Sequence, residues 1–160
     1  MTEQKKYVGR KSPRLRGYDY AEPGFYFLTI CAHARRCIFG KIENARLVPS
    51  RLGLAVQQCW NSIPAHSPGV ETDGFILMPN HLHGIIRIVQ PNSYSVSGVV
   101  GLFKAAVTRS SRTFNENTTI WQRSFHDRVI RTENSLFALR QYILDNPEQW
   151  HADELNPGRD

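Results

Sequence analysis

The sequence holds 160 residues, 41% of them hydrophobic and 11% aromatic, which is room for one domain with an ordinary core and little more. That content excludes disorder throughout, and nowhere do the roughly 20 consecutive apolar residues of a membrane span occur. Twenty Lys and Arg against fourteen Asp and Glu leave a net charge of +6, a balance that favours polyanionic partners because each neutralised phosphate releases counterions.

Residues 1–20 read as a basic arm, with Arg10, Lys11, Arg14 and Arg16 ahead of Gly17, and residues 21–160 as a single domain. The chain from Met1 to Lys6 leads into no apolar run, so no secretory signal is expected. Phe25 to Cys31 is dense in aromatic and β-branched residues and predicts a buried strand. Three cysteines, Cys31, Cys37 and Cys59, with no CxxC spacing, fit reduced thiols and a cytoplasmic setting. Ile38 to Val48 reads as a small hairpin turning at Glu43-Asn44. Ser50 to Trp60 reads as a helix capped by Ser50. A Pro/Ser/Gly loop over 62–69 precedes two apolar runs, Val70 to Met78 and Leu82 to Val89, joined by Pro79-Asn80 as strand, turn and strand. Gly98 to Phe114 has helical periodicity and carries Lys104, Arg109 and Arg112. Arg123, Arg128 and Arg131 form a third basic group, the last two within a strand expected at Arg128 to Arg131. The last helix, Ser135 to Asn146, takes Asn134 or Ser135 as its cap and Pro147 as its stop. The first six elements follow the ferredoxin-like split βαβ order: an α+β fold with an antiparallel sheet, helices on one face, and a further C-terminal helix. That fold hosts many unrelated functions and decides no chemistry.

Two segments carry chemistry. In the strand around Leu77-Met78-Pro79-Asn80-His81-Leu82-His83-Gly84, His81 and His83 point to one face while Leu82 points to the other. Two neighbouring neutral imidazoles suit a divalent cation, and Gly84 has no side chain to crowd them. On the last helix, Tyr142 and Asn146 stand four apart on one face, so an amide oxygen from Asn146 could be a third ligand one turn from a phenol. Either segment alone has an ordinary structural explanation: satisfied histidines, a packed tyrosine, an Asn-Pro helix end.

Together they resemble the single-tyrosine HUH transposases of insertion sequences, and more closely their domesticated bacterial relatives, the REP-associated tyrosine transposases. The resemblance runs through Gly17-Tyr18-Asp19-Tyr20, Gly24-Phe25-Tyr26-Phe27-Leu28-Thr29, Met78 to Gly84, Phe103-Lys104, Trp121 to Arg131, Tyr142-Ile143 and Asn146-Pro147. It implies Tyr142 as nucleophile, and His81, His83 and Asn146 as ligands of Mg²⁺ or Mn²⁺. Its implied partner is single-stranded or hairpin DNA, met by Arg10, Lys11, Arg14, Arg16, Lys104, Arg109, Arg123, Arg128 and Arg131. It is compatible with a monomer or a homodimer. Some relatives carry Gln where this chain has Asn146, and many carry an aromatic where it has His126. A phenol is a poor nucleophile at neutral pH, so the scissile phosphate must be held in line and its charge offset, work suited to a metal. A 5′-phosphotyrosyl bond keeps the energy of the cleaved linkage, and accordingly no GxxxxGK loop is present. Two rivals stand beside this reading. One is a non-catalytic nucleic-acid-binding module whose Tyr26 and Phe27 stack bases. The other is a nuclease built on Asp73, Asp127, Glu133 or Asp145.

Overall fold

The computed structural model describes residue 15 and residues 17–91, 94–114 and 118–159. Arg10, Lys11, Arg14 and Arg16 of the basic arm lie outside them. Strand β1 (Gly24–Cys31) is the spine of the molecule. It pairs antiparallel with β5 (His81–Ile88) on one side and with β6 (His126–Ile130) on the other, and β5 pairs in turn with β4 (Val70–Leu77). The order β4-β5-β1-β6 is the ferredoxin-like arrangement expected from the sequence. A separate hairpin, β2 (Gly40–Glu43) with β3 (Arg46–Pro49), is inserted before the first helix.

Alternation along β1 sorts the two faces. Tyr26, Leu28 and Ile30, with Leu82, Ile86 and Ile88 of β5, meet α1 (Arg51–Asn61) and α3 (Val96–Ser111) through Leu52, Val56, Trp60, Val99, Phe103 and Val107. Each fully buried Leu, Ile or Val stabilises by about 1.5–3 kcal/mol, so this large cluster dominates the fold. Phe25, Phe27 and Thr29 point the other way. There α4 (Glu133–Asp145) lies on the sheet through a small cluster of Ile85, Ile130 and Ile143. The helices therefore occupy both faces, and α4 is alone on its own.

Local chemistry explains the element ends. Ser50 caps α1 as expected, its hydroxyl accepting from the Gly53 amide at 3.0 Å. Helix α3 begins two residues before Gly98 because Ser95 caps it, accepting from the Gly98 amide. The cap of α4 is Thr132 rather than Asn134 or Ser135, its hydroxyl accepting from the Ser135 amide at 3.1 Å. A short helix, α2 (Ile63–His66), stands within the expected loop. As expected, α4 stops at Asp145, and the chain continues through Pro147. This proline opens a 3-10 segment, Asn146–Ala152, because a proline in a first helical turn removes an amide that would have no partner anyway.

Gly84 has a different role from the one its motif suggests. It faces α1 with Leu82 and Ile86, and a Cβ there would collide with the Trp60 ring. Its missing side chain makes room for Trp60, not for the histidines. Tyr18 and Tyr20 pack against the core, the Tyr20 carbonyl accepting from the Val96 amide. Among the described residues no helix is long and apolar enough to cross a membrane.

Candidate nucleophile and cation site

The α4 face of the sheet gathers the chemistry. His81 and His83 are both buried and their rings meet edge to face, 4.7 Å between centroids. Phe27, one strand over, stacks on His83 at 5.3 Å. Tyr142 approaches from α4, with its ring 5.3 Å from His83 and its hydroxyl 3.5 Å from His83 Nε2. Asn146 keeps helical backbone angles past the end of α4, so it stays one turn beyond Tyr142 and is 3% exposed. Tyr142 itself is 43% exposed, open to a substrate. A cavity of about 450 Å³ is lined by Thr29, His83, His126, Tyr142, Asn146 and Asp153, among others.

The hydrogen bonds settle which His81 nitrogen carries the proton. Asn80, wholly buried, donates from Nδ2 to the carbonyls of Arg35 (3.0 Å) and Leu155 (2.7 Å). Its Oδ1 is thereby turned toward His81 Nδ1 at 2.8 Å, and an amide oxygen can only accept. His81 Nδ1 is the donor, and Nε2 is left with its lone pair. His83 Nδ1 meets the Thr29 hydroxyl at 2.9 Å. Burial pushes His81 down to about 4; His83 falls to about 3 through burial and then the neighbouring His81. Both are neutral near pH 7, the state in which imidazole binds a metal.

The donor set fits a divalent cation. His81 Nε2 and Asn146 Oδ1 are buried side-chain atoms without a hydrogen-bond partner, and both offer lone pairs. Among the described residues no three His, Cys, Asp or Glu side chains are arranged to hold a metal ion, so a cation here relies on the amide oxygen as well. Spacing alone assigns no part in the site to Asn80, Thr29 or Asp153. Asn80 was visible as the neighbour of His81. Asp153 lay beyond the proline taken as a stop, yet its Oδ2 stands 3.6 Å from His81 Nε2.

The basic residues expected to meet phosphate are less concentrated. Arg128 lies on the site's face of β6, paired with Phe27, and is exposed. Arg123 and Arg131 are exposed near that strand. Arg109 belongs to α3 and lines a cavity with Cys59 and His66, on the sheet's other side. Lys104 donates to the carbonyls of Gln122 (2.8 Å) and Ser124 (3.5 Å), so its ammonium holds the loop before β6, and burial lowers its pKa. For the rivals, Tyr26 is wholly buried, and Phe27 is half-buried with its ring stacked on His83. Asp73 is taken by Arg140.

No family model matches the chain. An uncharacterized protein of Haemophilus influenzae is 38% identical over 166 residues, covering 91% of this chain and 92% of that protein. Among solved structures, the chain is similar to a REP-associated tyrosine transposase bound to a REP hairpin, with a TM-score of 0.65 and 18% identity, over 85% of this chain and 73% of that one. It is also similar to a candidate transposase of Deinococcus radiodurans R1, with a TM-score of 0.52 and 16% identity, over 82% of this chain and 95% of that one. At these identities the likeness is one of fold.

Proposed function

The chain belongs to one family with the uncharacterized Haemophilus influenzae protein and has the fold of a tyrosine transposase, and we propose that it cleaves and rejoins single-stranded DNA through Tyr142. The observation that carries this reading is convergence. One cavity brings an accessible phenol together with His83 and Asn146, and His81 reaches its wall through Asp153. A structural histidine pair would have no reason to leave Nε2 and an amide oxygen without partners.

His81, His83 and Asn146 would hold Mg²⁺ or Mn²⁺, which supplies Lewis acidity to a phosphate placed there. Tyr142 Oη attacks phosphorus: the phenolic oxygen–phosphorus bond forms and the bond from phosphorus to the 3′ oxygen breaks. The phenol gives up one proton and the departing 3′ oxygen takes one. The product is a 5′-phosphotyrosine with a free 3′-hydroxyl, and attack by a 3′-hydroxyl reverses it without ATP. The helix fixes the phenol on the ligand side, and Phe27 stacked on His83 keeps that imidazole in place. The hairpin in the neighbour's complex supports hairpin DNA from repeated elements as the substrate class. Arg128, with Arg123 and Arg131, would meet its backbone beside the site, and Arg109 a more distant stretch.

The test is a covalent adduct. Incubated with a labelled single-stranded hairpin and Mn²⁺, the protein should acquire label that survives denaturation, and Tyr142→Phe should abolish it while changing DNA affinity no more than a few-fold. Label on Tyr142→Phe would transfer the role to another tyrosine. No label on the wild type with any hairpin tried would favour the binding module.

A further inference from the structure

We infer that Asp153 is a further ligand of the cation, its carboxylate completing the two imidazoles and the amide; the inference rests on the cation site proposed above. The argument begins with two lone pairs facing one another. Asn80 forces the proton of His81 onto Nδ1, so Nε2 points a lone pair at Asp153 Oδ2, 3.6 Å away. A carboxylate oxygen and a deprotonated nitrogen share no hydrogen; His81 is wholly buried, and the Asp153 side chain, 12% exposed, keeps only slight contact with solvent. Such a contact is unfavourable unless a positive charge lies between the two atoms.

The carboxylate is also aimed. Its Oδ1 accepts from the Leu155 amide at 2.8 Å, which leaves Oδ2 for the site. Leu155 is tied down by its own carbonyl, which accepts from Asn80 Nδ2. One buried amide therefore orients the imidazole on one side and the turn that carries the carboxylate on the other. Two donors about 2.1 Å from one octahedral ion stand roughly 3 Å apart, so the 3.6 Å between His81 Nε2 and Asp153 Oδ2 must shorten when the ion binds. A carboxylate suits Mg²⁺ and Mn²⁺ better than a third nitrogen would. It also offsets one of the ion's two charges, leaving the other for phosphate.

The experiment is a Mn²⁺ titration without DNA, followed by calorimetry and by the electron paramagnetic resonance signal of free aqueous Mn²⁺. Asp153→Asn keeps the shape and the bond to the Leu155 amide and removes the facing negative charge, so the metal-free protein should unfold no more easily than the wild type. Its Mn²⁺ dissociation constant should rise at least about tenfold. A second variant separates ligation from distant charge. Asp153→Cys, titrated with Cd²⁺, should show a thiolate-to-cadmium absorption band absent from the wild type. Asn binding Mn²⁺ within twofold of wild type, or Cd²⁺ binding to the Cys variant with no new band, overturns the assignment of Asp153. If the wild type binds no Mn²⁺, or the His81→Ala, His83→Ala double variant binds it undiminished, the underlying cation site fails instead.

Discussion

Arg140 forks onto Asp73, with Nε 2.9 Å from Oδ1 and Nη2 2.6 Å from Oδ2, and so fastens α4 to the bulge of β4 two residues before Tyr142. Gly74, next along, lets the helix come close, since a Cβ there would stand 3.3 Å from Ile143. The pair is partly exposed, so its loss should cost at most about 1 kcal/mol of stability. The effect on chemistry should be larger, because a displacement of about 1 Å at the reacting oxygen can cost a hundredfold in rate. Arg140→Ala is therefore expected to bind hairpin DNA nearly as well as the wild type and to form adduct at least tenfold more slowly. Equal single-turnover rates for the two would show that the fork does not place the phenol.

The histidines give a pH dependence with a definite sign. Unfolded, each titrates near 6.5; folded, they titrate near 4 and 3. The native state refuses protons that the unfolded chain accepts, so stability is fully present above pH ~6.5 and falls as the pH drops through that window. Each histidine adds a slope of about 1.4 kcal/mol per pH unit, for a total on the order of a few kcal/mol. Urea midpoints of metal-free protein should drop between about pH 7 and about pH 4.5, and the drop should shrink in the His81→Gln, His83→Asn double variant. A wild-type midpoint that stays constant across this range would contradict the burial of neutral imidazoles.

Gly84→Ala should be a folding mutation rather than a catalytic one. The added methyl enters the Trp60 ring, which Phe75 stacks upon and Phe103 meets edge-on, so the indole has little freedom to retreat. Overpacking of this kind costs about 1–3 kcal/mol and here should lie at or above the top of that range. Denaturant unfolding measures it. A variant as stable as the wild type but unable to bind Mn²⁺ would return Gly84 to the metal side.

Asn80→Ala should weaken both metal binding and the turn at Asp153. The substitution frees His81 to take either tautomer and leaves the Arg35 and Leu155 carbonyls without their donor. Outer hydrogen bonds of this sort change metal affinity by about 10- to 100-fold. The Mn²⁺ titration would read it, and an unchanged dissociation constant would mean that the tautomer is fixed some other way.

Much of this was legible in the sequence, for reasons that can be named. His81, Leu82 and His83 sort by simple strand alternation, and Tyr142 and Asn146 by one helical turn. Both relations are local, so spacing alone carries them. Ser50 as a cap is local too. What spacing could not give was the face that each apolar residue meets. Gly84 obeys the alternation that placed its neighbours, but its reason lies on Trp60, 24 positions earlier. Lys104 reads as a phosphate contact until Gln122 and Ser124 come into reach. Pro147 marks the end of the last helix correctly, but the 3-10 turn it opens has no apolar period to read, because a proline that ends one helix can also begin the next turn. Asp153 and Leu155 therefore stayed out of view, although they lie against the first histidine.

The unequal anchoring of the two faces sets an order of failure under stress. Helices α1 and α3 share the large cluster, whereas α4 buries Ile143 against Ile85 and Ile130, with Phe137 and Leu144 in solvent. Segments with little buried contact open locally before the whole molecule does, so the amides of α4 should exchange with deuterated solvent ahead of those of β1 and β5. Tyr142, the proposed nucleophile, rides on this less anchored segment, and the histidines on the durable one. Mild heat or denaturant should therefore silence strand cleavage while the sheet's circular dichroism is still intact, and cooling should restore both together.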